Sequence, residues 1–357
     1  MKKIIIAVLG LIILIVVGGL AFYNLNLKAV SSNSEEVEFE VTGGYYETIP
    51  KLKKAGLIRN ELCFKIYVKL HKINKLQKGK YVLNKNMSVK DIVNEFNKGN
   101  NYNPDQISIT FKEGLNIRKI ATLVSENTNN SYDDFMALMV DKEYIKTLIS
   151  KYWFLTDDIL NEKIYYPLEG YLFPETYFFK NKDVTSKEIV ETMLDQMGKK
   201  LEPYKKDIEE SGYSIHQLMT LASIVEMEGA SSNDRAAVAG VFVNRINDGW
   251  SLGSDVTTYY YLKIDDFKVS LNGNPNLYTC DNAYNTRCRS YIGLPVGPIS
   301  NPGTDSLVST IKYEKHDYYY FVADCKGKTY LSKNSTEHYN TIQRLKSENN
   351  WCVWLKK

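Results

Sequence analysis

The chain has 357 residues, which at roughly 150 residues per domain leaves room for two or three folded units. Charged residues make up 24% and hydrophobic residues 44%, values ordinary for a globular protein that exclude a disordered or collagen-like chain. The 45 basic residues exceed the 42 acidic ones by three, so we expect no nucleic-acid partner, which would need a concentrated basic face. The four histidines are scattered and the five cysteines lack zinc-site spacing, so we expect no metal or other cofactor and no disulfide framework.

An uncharged run follows the two lysines of segment 1–3 and extends over residues 4–23. At about 1.5 Å per residue, about 20 residues would cross a hydrocarbon core of about 30 Å. The lysines predict that segment 1–3 stays in the cytoplasm and that the rest of the chain lies outside, in a single-pass plasma-membrane topology. A cleaved signal peptide is the alternative, although its apolar region typically has about 7–15 residues. The polar residues 24–36 would form a linker.

The patterns after the linker predict an α+β protein. Residues 37–105 combine an alternating strand pattern, a Gly-Gly turn and a helix that opens at Ser88 with a capping-box pattern. Residues 106–210 begin with a second small α/β unit and continue through helical linkers. Within that range, prolines at 167 and 174 break up an aromatic segment, and 184–210 is expected to be one charged amphipathic helix. Residues 211–357 predict a helical pair, a long loop region and a Tyr-rich strand.

The helix that begins at Ser214 carries the most informative polar residue. Its apolar positions recur at helical spacing through Ala222 and Val225, and the next position of the same stripe is Glu226. Burial disfavours a charged carboxylate, and a carboxylic acid that keeps its proton near neutral pH is what cleavage of a glycosidic bond requires. An ion-paired or outward-facing glutamate at a helix end is the alternative.

Cys280 and Cys288 lie in one loop-like stretch. They either pair with each other or remain free thiols, and the spacing alone leaves both possibilities open.

At Glu226 the sequence resembles a known family. The stretch 221–226, Leu-Ala-Ser-Ile-Val-Glu, resembles the catalytic signature of the endolytic murein transglycosylases of the YceG-like (MltG) family. Further stretches match that family in the same order, and together they cover roughly residues 37–345. These stretches are 168–177, 241–245, 252–255, 284–286, 293–303, 320–324 and His338.

The resemblance implies a LysM-like module over 37–105 and a YceG-like catalytic domain over 211–357. It implies that a MurNAc–GlcNAc bond is cleaved without water inside a nascent peptidoglycan strand, which ends glycan elongation. Glu226 would protonate the leaving oxygen and then act as base while the sugar's own 6-hydroxyl attacks, leaving a 1,6-anhydro-MurNAc end. The residues carried over as candidates for holding the sugar are Glu169, Tyr171, Glu175, Asp255, Tyr259 and Asn285.

The expected partners are peptidoglycan strands, the plasma membrane through residues 4–23, penicillin-binding synthases, and the elongation and division machinery. The chain departs from the family pattern at Val256, at Arg287, where an aromatic residue is usual, and at Lys328-Thr329, where one family histidine is absent. These departures concern the sugar groove or its rim. A hydrolytic muramidase and a non-catalytic peptidoglycan-binding scaffold are the alternative functions.

Overall fold

The computed structural model describes residues 2–73, 76–99, 105–228 and 231–352, without the side chains of 2–9 and 11–13. The chain divides into two compact units, Met1–Asp105 and Gln106–Lys357.

The first unit contains a two-stranded antiparallel sheet covered by helices. Its elements are α1 (Lys2–Leu27), β1 (Glu36–Val41), α2 (Tyr45–Lys54), α3 (Glu61–Leu70), β2 (Gly79–Asn84) and α4 (Val89–Lys98). Strands β1 and β2 pair along their whole length, and alternate residues of each strand point into a core that includes Phe39, Tyr81 and Phe96. The capping box predicted at Ser88 is present at the start of α4, where Asp91 is its reciprocal partner.

The predicted membrane anchor over residues 4–23 is wrong. Within the described part of the chain, no helix is both long enough and apolar enough to span a bilayer. The single-pass fold class and the plasma-membrane location are corrected accordingly, while the mixed helix and strand content remains.

The second unit is mainly helical and carries two antiparallel strand pairs, β3 with β4 and β5 with β6. Its first elements are β3 (Ile107–Thr110), α5 (Ile117–Asn127), α6 (Tyr132–Leu138), α7 (Lys142–Lys151), β4 (Thr176–Phe179), α8 (Ser186–Leu201) and α9 (Lys205–Glu210). The remaining elements are α10 (Ile215–Glu228), α11 (Arg235–Asn247), α12 (Asp255–Tyr261), α13 (Thr304–Ile311), β5 (Tyr320–Ala323), β6 (Thr329–Ser332) and α14 (Ser335–Ser347).

The single helix expected over 184–210 is two helices. Helix α8 ends at Leu201, and a short 3-10 turn over Glu202–Tyr204 separates it from α9. Pro203 lies in that turn, where it has no N–H to continue the helical hydrogen bonds.

Helix α10 lies in the centre of the second unit. Its capping box forms as expected, since the Gln217 amide donates to Ser214 Oγ and the Ser214 amide donates to Gln217 Oε1. One face packs into the core that surrounds α5 and α8, whereas Leu221, Ile224 and Val225 pack against α11 and α12. The helix is therefore buried on nearly every side rather than along one stripe, and Glu226 lies in its last turn.

Four of the five cysteines form two disulfides, contrary to the expectation that no framework exists. Cys280 pairs with Cys288, and Cys325 pairs with Cys352. Cys63 is a buried free thiol. Of the two possibilities left open for Cys280 and Cys288, the structure contains the bonded pair.

Candidate active site

Glu226 is held at the end of α10 by donors from two other helices. Its side chain is 7% exposed. The Nη2 atom of Arg235, the first residue of α11, donates to Oε1 over 3.2 Å. The backbone amide of Gly303 and the hydroxyl of Ser306 donate to Oε2 over 3.1 and 2.7 Å. Both carboxylate oxygens are thus fixed in direction.

The start of α13 explains two of these contacts. Gly303 is the N-cap of that helix and has no side chain to accept from the first amides. The Glu226 carboxylate accepts from the amide of this N-cap residue and from the Ser306 hydroxyl, at the end of the helix where the dipole favours an anion. Arg235 also pairs with Asp305 over 2.9 Å, so it bridges α10 and α13.

A second carboxyl group, that of Glu113, lies beside Glu226. The neighbouring Gly114 has a φ of +77°, and its amide donates to the Asn301 carbonyl over 2.8 Å. A Cβ at position 114 would lie 3.7 Å from Glu226 Cγ, so this turn runs directly against the end of α10. The side chain of Glu113 is exposed, but partial desolvation, and next the negative charge of Glu226, raise its pKa, which Arg235 opposes.

Glu113 is not among the site residues expected from the sequence. It lies more than a hundred residues before Glu226. The signal that could have identified Glu113 is a Glu-Gly pair that begins three residues after the end of a short strand. Such a pair places a charged side chain at a turn whose positive φ requires glycine.

Glu169 lies beneath the surface, with no exposed area. Its carboxylate accepts from the Ile117 amide at 3.1 Å, from the Tyr260 hydroxyl at 3.0 Å and from Asn301 Nδ2 at 3.1 Å. Desolvation raises the pKa of Glu169 to about 7, although these hydrogen bonds oppose the rise. Glu169 thus ties the start of α5 to α12 and to the loop before α13.

Tyr171 and Asn285 are also fully buried. The Tyr171 hydroxyl lies 2.9 Å from His216 Nδ1, and burial raises the pKa of Tyr171 well above its usual value. Asn285 Nδ2 donates to the Thr279 carbonyl over 2.7 Å and to the Leu277 carbonyl over 3.2 Å. Both side chains hold backbone or neighbouring rings in place, and neither has a polar atom at the surface of this conformation.

The other candidates are accessible to solvent. Asp255 is exposed at the start of α12 and pairs with Arg287, one of the departures from the family pattern. The preceding residue, Ser254, donates to Glu228 on α10, which brings Asp255 near the same helix end as Glu226. Tyr259 is half-buried, and its hydroxyl donates to the Val269 carbonyl over 2.6 Å.

Glu175 is exposed just before β4. Its carbonyl accepts from the Phe111 amide over 3.0 Å, so its backbone, rather than its carboxylate, is joined to the segment that leads to Glu113.

Most of the chain matches a single protein family. The YceG-like family profile matches residues 39–344. The chain is 33% identical over 303 residues to an endolytic murein transglycosylase of Streptococcus pneumoniae serotype 2. That match covers 82% of this chain and 54% of the relative, so the chain spans about half the length of that protein.

Two further relatives are covered more completely. An endolytic murein transglycosylase of Bacillus subtilis is 32% identical over 300 residues, which are 84% of this chain and 81% of the relative. The crystal structure of a YceG-like protein from Listeria monocytogenes superimposes with a TM-score of 0.60 at 32% identity. That superposition covers 87% of this chain and all of the Listeria chain.

Proposed function

We propose that this chain, which belongs to the YceG-like family, is an endolytic peptidoglycan lytic transglycosylase. The substrate would be the glycan strand of peptidoglycan, and the bond broken would be the MurNAc–GlcNAc bond within that strand. The observation that carries the proposal is Glu226. This carboxyl group lies at the end of a buried helix, inside the family-matched region, with both oxygens oriented by donors from two other helices.

In the proposed reaction, the Glu226 carboxyl group gives its proton to the leaving glycosidic oxygen as the anomeric C–O bond breaks. The 6-hydroxyl of the same MurNAc residue then attacks the anomeric carbon and loses its proton to the Glu226 carboxylate. The net result is a shorter strand with a 1,6-anhydro-MurNAc end and no water consumed. The fixed position of Glu226 supports this role, because acid–base transfer needs the carboxyl group within hydrogen-bond reach of the reacting oxygen.

The buried candidates fit a supporting role in this proposal. Glu169 and Asn285 would set the positions of α5, α12 and the loop around Leu277 rather than touch the sugar. Asp255 and Tyr259 have accessible surface and would contact the glycan directly.

The first unit remains a proposed LysM-like glycan-binding module. Its support is the order strand, helix, helix, strand, with β1 and β2 paired antiparallel around a closed aromatic core. The test is retention of the chain on insoluble peptidoglycan, which should weaken when residues 37–105 are replaced by a flexible linker of equal length.

Product analysis tests the reaction. The full chain is incubated with purified peptidoglycan sacculi, and the released fragments are separated and weighed by mass spectrometry. The proposal predicts fragments lighter by one water than the corresponding reducing-end muropeptides.

Two results would contradict it. Reducing-end fragments would identify a hydrolytic muramidase, for which the nearby carboxyl group of Glu113 is the specific observation in favour. Binding to sacculi without any released fragment would identify a non-catalytic scaffold.

A further inference from the structure

We propose that an open cleft at the start of α10 is a second binding site for the glycan strand of peptidoglycan, separate from the end of α10 where Glu226 lies. This role of the cleft rests on the proposed function and deepens it. Cleavage would then depend on strand length, because only a long strand can occupy the cleft and the site at Glu226 together.

The cleft is large and lies away from the residues that hold Glu226. Its volume is about 900 Å³, near the upper end of the range of about 300–1,000 Å³ that is typical of ligand sites. Ser214 and Gln217, at the start of α10, contribute to its lining. Glu226 follows Gln217 in the same helix by a distance of about 14 Å along the helix axis. A sugar in the cleft therefore lies farther along the strand than the two sugars that flank the reacting bond.

One wall of the cleft is apolar and continues into an exposed tryptophan. Ile292 and Leu294 form part of this wall. A parallel β-bridge joins Gly293 to Ser251, so the residues that precede them, Ile292 and Trp250, lie side by side. Ile292 is 60% exposed and Trp250 is 40% exposed. Adjacent large apolar side chains that remain open to solvent are a feature of binding surfaces.

The ring of Trp250 is held in place by two tyrosine rings. Its centroid lies 4.9 Å from that of Tyr319 and 6.1 Å from that of Tyr320. The Tyr319 hydroxyl donates to Asp248, and the Arg245 guanidinium lies 5.3 Å from the centroid of Tyr320. A flat ring that is already fixed loses little conformational entropy when the apolar face of a sugar packs on it.

The polar groups of the cleft favour a neutral polymer that carries many hydroxyl and amide groups. Asp157, Asn161 and Gln217 are exposed side chains of its lining that can form hydrogen bonds with such groups. Among the described residues that line the cleft, none is a lysine or an arginine, and burial lowers the pKa of His216. An anionic polymer would therefore find no counter-charge there, whereas the sugars of peptidoglycan offer hydroxyl and acetamido groups.

One segment of the chain leads from the cleft to the last turn of α10. It runs from Trp250 to Ser254, whose hydroxyl donates to Glu228 in that turn. Gly253 is exposed within the segment, and Asp255, directly after it, is exposed too. A glycan strand that lies along this segment would reach both sites.

The test measures kcat/KM of full-length wild type, Trp250→Ala, Ile292→Ser and Trp153→Ala on glycan strands freed of their peptides. Trp153 is the matched control, because it is 37% exposed and lies outside the lining of the cleft. Long strands are compared with tetrasaccharides, which extend only two sugars to either side of the reacting bond. We expect Trp250→Ala and Ile292→Ser to lower kcat/KM on long strands by about three- to tenfold, mainly through KM. Both variants should match wild type on tetrasaccharides, which also shows that they fold, and Trp153→Ala should match wild type on both substrates.

Three kinetic results would overturn the inference. The first is an unchanged kcat/KM of both cleft variants on long strands, and the second is an equal loss on long strands and tetrasaccharides. The third is a loss that appears only with strands that still carry their peptides, which would assign the cleft to the peptide.

A wild type that cleaves neither substrate would remove the proposed function. The affinity of the same full-length proteins for long strands, measured by fluorescence titration, then decides the role of the cleft by itself. Weaker binding by Trp250→Ala than by Trp153→Ala would support that role, and equal binding would overturn it.

Discussion

Replacement of Glu169 by glutamine should change how the stability of the second unit depends on pH. Glu169 has no exposed surface, and burial raises its pKa from 4.5 to about 7. The folded protein therefore holds this proton more tightly than the unfolded chain does. The stability from this group is complete below about pH 4.5 and is lost as the pH rises through about 7.

The size of the effect follows from those two values. A difference of about 2.5 pH units at about 1.4 kcal/mol each gives about 3 kcal/mol. Glutamine stays neutral and retains an oxygen that can accept from the Ile117 amide, so Glu169→Gln should lack this pH dependence. In a unit of this size, about 3 kcal/mol corresponds to about 6–12 °C in Tm.

Calorimetry of the full chain from pH 4 to pH 8 measures this effect. The Tm of wild type minus that of Glu169→Gln should fall by that amount as the pH rises, because other titrating groups are common to both proteins. Glu126→Gln, an exposed glutamate of α5, should show no such trend. A difference between wild type and Glu169→Gln that stays constant across this range would refute the assignment of a buried, proton-binding Glu169.

Two other predictions concern the stability of the second unit. Gly170→Ala should lower the free energy of unfolding by at least about 2 kcal/mol, measured by urea titration, because its φ is +86° and a Cβ would press on Pro298; an unchanged midpoint would contradict this packing. Loss of the Cys325–Cys352 disulfide through a double serine variant should cost about 3–4 kcal/mol, and an unchanged Tm with and without reductant would show that the bond is not formed.

Local sequence signals predicted the short elements well. The capping residues at Ser88 and Ser214 begin helices α4 and α10, because a side chain three residues away determines each cap. The helix expected over 184–210 is interrupted at Pro203. The charged amphipathic pattern continues past this proline, so it did not indicate the break. The apolar run over 4–23 predicted a membrane anchor, which the described residues do not support.

The environment of each site residue depends on contacts between distant parts of the chain. The apolar stripe that leads to Glu226 predicted a helix buried along one face. In the structure α10 is buried on nearly every side, because α11, α12 and α13, which follow it in the chain, pack around it. The family motifs identified Glu169 and Asn285 as candidates for holding the sugar. A motif does not distinguish a residue that makes buried hydrogen bonds from one that contacts the sugar. Glu113 was missed because its proximity to Glu226 arises only when the turn after β3 packs on α10.

The catalytic role of Glu226 is tested most directly by the rate of glycan cleavage by Glu226→Gln, with Glu228→Gln from the same helix turn as the matched control. Both variants remove one carboxylate from the end of α10, and both should fold, as judged by an unchanged circular dichroism spectrum. We expect Glu226→Gln to release no fragments from sacculi, whereas Glu228→Gln should retain activity within tenfold of wild type. Fragment release by Glu226→Gln at the wild-type rate would contradict it.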